Sequence, residues 1–371
     1  MKRTHDAGLD RRRRKLLGGA AAAGGLALIG NGMPPVMAQS VTIQALINTL
    51  MLPEPLRPLV IQATDTRVEM APYTSVTDVV ARLLAPGGTS RFDLMGTLTN
   101  VVRGPGLGAK PGDEKLRALN LELIPNAAGI LPSFRRDVIT RDGKTYGLPI
   151  AWGYESVVYN TEKVPPNEEL TQSWKILFDD KYKGRLSWRD DAHGMIMTAA
   201  LALGHKDPVK LAGNDLREVG KFLIDRKKNI RTMWTKFGEA IGLMASGEVW
   251  AMYGWVSMRA NLRKQGHKVL NNWPRESLLT WSFAAVVPKD APRADAAQRV
   301  INVMLSEEYG RKLVEATNYP STSQAAARSF SKEQWADMGL NIDERGVPLY
   351  GFDLPQAMDQ WVETWNTVRV A

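Results

Sequence analysis

Between residues 41 and 98 the apolar pattern switches repeatedly between a two-residue and a helical period, and this switching fixes the class of fold. Val41-Thr42-Ile43-Gln44-Ala45-Leu46-Ile47 alternates as a half-buried strand does, and Thr66-Arg67-Val68-Glu69-Met70 repeats the pattern. Residues 56–62 lie between them with helical spacing, and residues 75–84 form a second helical stretch. Asp93-Leu94-Met95 is a short apolar strand entered through Gly87-Gly88 and left through Gly96. Strand, helix, strand, helix, strand is the opening of an α/β fold.

The segment before this run has a different purpose. Arg11-Arg12-Arg13-Arg14-Lys15-Leu16-Leu17 leads into a Gly/Ala-rich apolar stretch, and Val36-Met37-Ala38 places small residues at the minus-three and minus-one positions. Residues 1–38 therefore read as an export signal cleaved after Ala38. The Arg13-Arg14 pair and the glycine-diluted apolar stretch resemble the twin-arginine type, so the expected compartment is the periplasm. The apolar stretch is short of the ~20 residues that span a bilayer.

Losing this segment changes the charge argument. It holds seven of the 48 Lys and Arg and two of the 39 Asp and Glu, which leaves 41 against 37 and lowers the net charge from +9 to +4. That balance gives no basis for binding nucleic acid. The remaining 333 residues exceed one comfortable core, so two lobes are expected. The chain has no cysteine, which excludes disulfides, thiolate metal sites and cysteine nucleophiles.

Further along, residues 103–113 are rich in Gly and Pro and read as a surface loop. Residues 147–150 and 156–159 read as strands on either side of a turn at Trp152-Gly153. Helical spacing follows at 195–203, 211–226, 237–246, 256–265, 294–316 and 356–368, with strands expected at 185–188, 250–253 and 283–287.

Motifs of catalysis are missing. His193, His205 and His267 are scattered and show no HExxH or paired-ligand spacing. There is no GxSxG elbow, no P-loop and no GxGxxG after a strand, and Gly104-Pro105-Gly106-Leu107-Gly108 carries a proline where a phosphate cradle needs a free amide. No cofactor or metal is expected. A cofactor-dependent enzyme exported in the folded state, using Asp190, Asp191 and Glu155 as acid and base, is the competing class, and it lacks a nucleophile or cofactor motif.

Four segments in order resemble one family. They are Gly147-Leu148-Pro149-Ile150-Ala151-Trp152-Gly153 with Val158-Tyr159-Asn160; Ser173-Trp174-Lys175-Ile176-Leu177-Phe178 with Tyr182-Lys183-Gly184-Arg185 and Asp190-Asp191; Ala245-Ser246-Gly247-Glu248-Val249; and Asn318-Tyr319-Pro320-Ser321-Thr322-Ser323. Together they resemble the periplasmic solute-binding proteins of ABC importers, specifically the spermidine/putrescine-binding family. The resemblance implies a type II binding-protein fold, with two lobes of mixed sheet flanked by helices and a ligand enclosed between them by hinge closure. It places crossings near 157–160, 283–286 and 329–333, hence residues 39–157 plus 284–330 in lobe 1 and 158–283 plus 331–371 in lobe 2. A small-molecule ligand and an inner-membrane ABC permease are the implied partners, and the protein is expected to be a monomer without catalysis.

A cleft that closes on a small cation needs aromatic faces and carboxylates. Trp152, Tyr154, Trp234, Tyr253, Trp255, Trp281, Phe283 and Tyr319 all fall at expected turns or strand ends, although core packing competes for each ring. The resemblance makes Asp191 the first amine-gripping aspartate. Where the family then has a glutamate this chain has Gly194, and where it has an aspartate two residues after a tryptophan this chain has Phe283 after Trp281. Two of three anchors are thus replaced, so within the expected class of small cationic solutes, polyamine-like or amine-containing, a smaller or singly charged ligand, an amino-acid-like or quaternary ammonium compound, or a molecule with an aromatic part is expected, with Glu155 as a substitute carboxylate. Thr97 and Thr99, with Tyr73 at a helix start, are the candidate donors if the ligand is an organic anion.

Overall fold

The protein, obtained as a computed structural model, is described over residues 40–371; the expected signal segment 1–38 lies outside the described residues. Its strands are β1 (Val41–Ile47), β2 (Thr66–Met70), β3 (Leu94–Leu98), β4 (Ile139–Arg141), β5 (Lys144–Asn160), β6 (Leu186–Arg189), β7 (Ile230–Trp234), β8 (Ala251–Trp255), β9 (Val269–Asn271), β10 (Leu278–Val286) and β11 (Leu349–Gly351). One sheet joins them in the order β2-β1-β3-β10-β5-β8-β6-β7, with β4 and β9 paired to β5 and β11 paired to β10. The run β2-β1-β3 is parallel, as is β8-β6-β7, while β10 and β5 are antiparallel to their neighbours on this path.

Apolar side chains collect around the two parallel runs. Ile43, Ile47, Leu94, Phe134, Ile150, Val300, Ile301 and Leu313 belong to one core, and Trp174, Leu186, Trp188, Ile196, Leu223, Met252, Trp361 and Trp365 to another. Phe330, Trp335, Leu340, Ile342, Val347 and Leu349 pack with the first core, and the chain joins the second at Tyr350 and Phe352. Trp281 on β10 packs against both. Among the described residues no helix is long and apolar enough to cross a membrane.

The expected elements up to residue 98 are present, and three later ones differ. The turn expected at Trp152-Gly153 is instead the middle of β5, a 17-residue strand. Gly153 and Trp152 are paired directly to Trp281 and Ser282 of β10, so these residues are held in a ladder. The loop expected at 103–113 begins as helix, since Thr99–Leu107 buries Val101, Val102 and Leu107 and tolerates Pro105 inside it. Packing outweighs local propensity here. The long helix expected at 294–316 is two helices, Ala294–Met304 and Glu307–Thr317. Ser306 breaks it by capping the second, accepting a hydrogen bond from the Tyr309 amide at 3.3 Å.

Candidate functional site

The three parallel strands β8, β6 and β7 end side by side at Trp255, Arg189 and Trp234. Ligands in open α/β sheets bind outside such carboxyl ends. Glu155 of β5 is paired across the ladder to Trp255 and accepts a hydrogen bond from its indole Nε1 at 2.5 Å. The Arg189 guanidinium lies over the Trp255 ring at 4.9 Å and over the Trp234 ring at 5.9 Å. Those two indoles meet edge to face at 5.4 Å, and Phe237 stacks on Trp255 at 6.4 Å.

Asp191 has two local duties. It caps the helix Ala192–Ala202 by accepting the Gly194 amide at 2.9 Å, and its Oδ2 stands 3.4 Å from Nη1 of Arg189. Gly194 explains the missing glutamate of the family pattern. A Cβ there would stand 2.5 Å from the Tyr253 hydroxyl and 2.8 Å from its Cζ. The fully buried Tyr253 ring therefore occupies the space that a side chain at 194 would need.

Burial shapes the electrostatics. Glu155 is 2 % exposed, and removal from water pushes its carboxyl up to about 7, against the opposing pull of Arg189. The Tyr253 hydroxyl is held well above the usual phenol range, by burial first and by the neighbouring Glu155 charge second. That hydroxyl is buried beside Glu155 without an aligned hydrogen bond among the described residues. The Trp234 indole N–H is likewise buried without a partner among them.

A second aromatic group adjoins this one along β5 and β10. The ring of Trp281 lies over Gly153, where a Cβ would come within 2.4 Å of it. Phe283 and Tyr319 flank Trp281 at 5.5 and 5.4 Å. Tyr319 is aimed by its turn: Asn318 ends the helix Glu307–Thr317 at φ 60, a left-handed conformation that asparagine tolerates. The following residues then dock on β5, with the Trp152 amide donating to the Pro320 carbonyl at 3.0 Å. The Tyr319 hydroxyl accepts from Ser257 at 2.6 Å, and the fields of Glu155 and Arg189 both reach it.

Other sequence candidates fall elsewhere. Trp152 and Tyr154 are fully buried, the first donating to the Ser321 carbonyl at 3.0 Å and stacking near Phe134, the second donating to the Gly339 carbonyl at 2.7 Å. Their polar tips are satisfied inside the core. Thr99 is bonded to Ser282 at 2.7 Å, and Ser282 donates to Asp137 at 2.6 Å. This chain lies on the face of β10 opposite Trp281 and Phe283, beside a small cavity of about 130 Å³. Thr97 donates to the Val76 carbonyl at 3.0 Å and neighbours the Tyr73 hydroxyl at 3.3 Å. Asp190 accepts from Trp365 at 2.9 Å and pairs with Arg369 at 3.1 Å, which fastens the C-terminal helix Met358–Val370. His193 stacks on Phe352 at 3.9 Å and donates to the Asp353 carbonyl, and burial lowers its proton affinity. Among the described residues no three His, Cys, Asp or Glu side chains gather as a metal site.

The sequence model for bacterial extracellular solute-binding proteins matches residues 62–340. The chain belongs to that family. The solute-binding protein is 27% identical over 212 residues to the spermidine/putrescine-binding periplasmic protein of Escherichia coli, a match covering 54% of this chain and 57% of that one. The alignment thus spans little more than half of that relative's length. A putrescine/agmatine-binding protein of Pseudomonas aeruginosa is 24% identical over 280 residues, covering 71% of this chain and 73% of the relative. Among solved structures, the spermidine/putrescine ABC transporter substrate-binding protein PotD of Streptococcus pneumoniae superposes with a TM-score of 0.72 at 18% identity, over 89% of this chain and 98% of that one. The solute-binding protein therefore has the two-lobed α/β fold of these neighbours.

Arg189 is the site residue that sequence reading missed. Its signal was position: it ends a strand two residues before the aspartate singled out by the family resemblance.

Proposed function

We propose that this protein is the periplasmic, non-catalytic ligand-capturing component of an ABC importer, holding a small organic amine-bearing solute between its two cores and presenting it to an inner-membrane permease. The observation that carries this is the place of Trp281. It alone among the candidate rings packs against both cores, and it touches Tyr319, whose hydroxyl feels the charges of Glu155 and Arg189. A solute seated on it touches both halves, so binding favours the closed arrangement over the open one. The lobes follow the two cores, with the last crossing near 347–352 and residues 331–346 kept with the first half.

The enzyme reading is weaker. Asp190 is committed to Trp365 and Arg369, and Asp191 is held as a helix cap and charge partner of Arg189, a setting for pairing with charge rather than for proton transfer.

The test is thermal-shift screening of the purified protein against amines, amino acids, quaternary ammoniums and organic acids. A ligand at 100 times its Kd adds about 2.7 kcal/mol to the folded state and raises the melting temperature. Trp281→Ala is expected to abolish the shift by any hit. A hit that survives Trp281→Ala unchanged, or that is turned over chemically, refutes the proposal.

A further inference from the structure

The charge pattern of the solute follows from Arg189, and this inference rests on the reading of the Trp281 cleft as the ligand site. The guanidinium takes the place over Trp255 where an ammonium would gain most from the ring face. An incoming cation must therefore displace it or do without that face. Its own pairing is incomplete. A guanidinium has five N–H donors, and the one ion pair of Arg189, to Asp191, is single and 3.4 Å long. Its side chain remains 30% exposed, so the unpaired donors have access to a solute. Trp234 also lies against the guanidinium, its ring centre 5.9 Å from Cζ, and the buried Tyr253 hydroxyl without an aligned partner stands beside Arg189 as well as beside the carboxyls.

The balance of charge selects among ligands. Two carboxyls, Glu155 and Asp191, face one guanidinium, so the cluster carries at most one net negative charge. A solute with ammonium groups at both ends leaves one of them without a counter-charge in a place largely removed from water. A dicarboxylate meets the carboxyls with like charge. A solute with one ammonium and one carboxylate adds no net charge and finds an opposite partner for each end. The planar fork of arginine suits a carboxylate better than a lysine would.

We propose that the solute is an amino acid in the broad sense, its carboxylate taken by the free donors of Arg189 and its ammonium by Asp191 and Glu155, over the face of Trp281.

The experiment is isothermal titration of the purified protein with chain-matched panels: diamines, amino acids and dicarboxylates of three to six carbons, including 1,4-diaminobutane, 4-aminobutanoate and butanedioate. An amino acid is expected to bind at least tenfold tighter than the diamine and dicarboxylate of equal length. Arg189→Gln should weaken that amino acid at least tenfold and bring the diamine closer to it. Arg189→Lys, which keeps the charge and loses the fork, should weaken it by a smaller factor. Melting temperatures of both variants report whether they fold. The inference is overturned if no amino acid in the panels binds, if a diamine or dicarboxylate binds tightest, or if Arg189→Gln leaves amino-acid affinity within twofold. Diamine binding that disappears in Trp281→Ala overturns the charge pattern and leaves the cleft standing. Binding insensitive to Trp281→Ala overturns the cleft, and the inference with it.

Discussion

Replacing Gly194 by alanine tests how firmly the Tyr253 ring is held. The added methyl stands 2.5 Å from the hydroxyl oxygen, 2.8 Å from Cζ and 3.1 Å from the Asp191 carboxylate. The ring is fully buried, packed near Trp174 at 6.5 Å, so it has little room to retreat. Overpacking of this kind costs about 1–3 kcal/mol. Replacing glycine by alanine inside a helix returns up to about 1 kcal/mol. The net expectation is a loss of about 1–2 kcal/mol, read as a fall of the urea midpoint at unchanged slope. Tyr253→Phe alone removes a buried hydroxyl without an aligned partner and is expected to be neutral or slightly stabilising. In the double variant the nearest clash is gone, so the cycle should show favourable coupling of about 0.5–1 kcal/mol. A Gly194→Ala protein as stable as the native one, with no coupling to Tyr253→Phe, refutes the claim that this ring displaces a carboxylate at 194.

Three further outcomes follow from the geometry. Glu155 has a folded pKa of about 7 against an ordinary 4.5, so between those values the folded state binds the extra proton and stability falls as pH rises, by at most about 3 kcal/mol; urea titrations from pH 4 to 8 should lose that slope in Glu155→Gln. Trp152→Ala is expected to destabilise by about 3–5 kcal/mol as a core truncation, whereas Trp281→Ala should affect ligand affinity more than the urea midpoint. Asp191→Ala removes a helix cap and should cost about 1 kcal/mol in the absence of ligand, detectable as a lower melting temperature before any solute is added.

Local pattern carried the first half of the fold well, because β1, β2 and β3 are each governed by alternation over a few residues. It failed where pairing is long-range. Pro149 and Gly153 look like strand breakers, and only the ladders to β10 on one side and the 320–322 turn on the other hold β5 continuous through them. β7, β9 and β11 were missed for the same reason, since each is short and defined by its neighbour. For the site, aromatic residues at strand ends pointed to Tyr253, Trp255, Trp281, Phe283 and Tyr319, which the structure gathers around the β5 and β10 ladders. Trp152 and Tyr154 have the same local signature and point into the core, because strand alternation decides the face and not the sequence neighbourhood. Arg189 was passed over because a lone arginine before Asp190-Asp191 resembles any solvated charge until two tryptophans are seen beneath it.

The continuity of β5 has a mechanical consequence. From Gly147 to Glu155 it is bonded to β10, and from Glu155 to Tyr159 to β8, so Glu155 belongs to both ladders with no slack between them. Relative motion of the halves has no loop to swing on along this strand and must be absorbed as twist in two hydrogen-bonded strands, eased by the register shift between Phe283 and Ala284. Such a joint behaves as a torsion spring, stiff against splaying and soft to rotation. It also couples the halves in unfolding: neither can lose its sheet without stripping partners from the strand the other depends on.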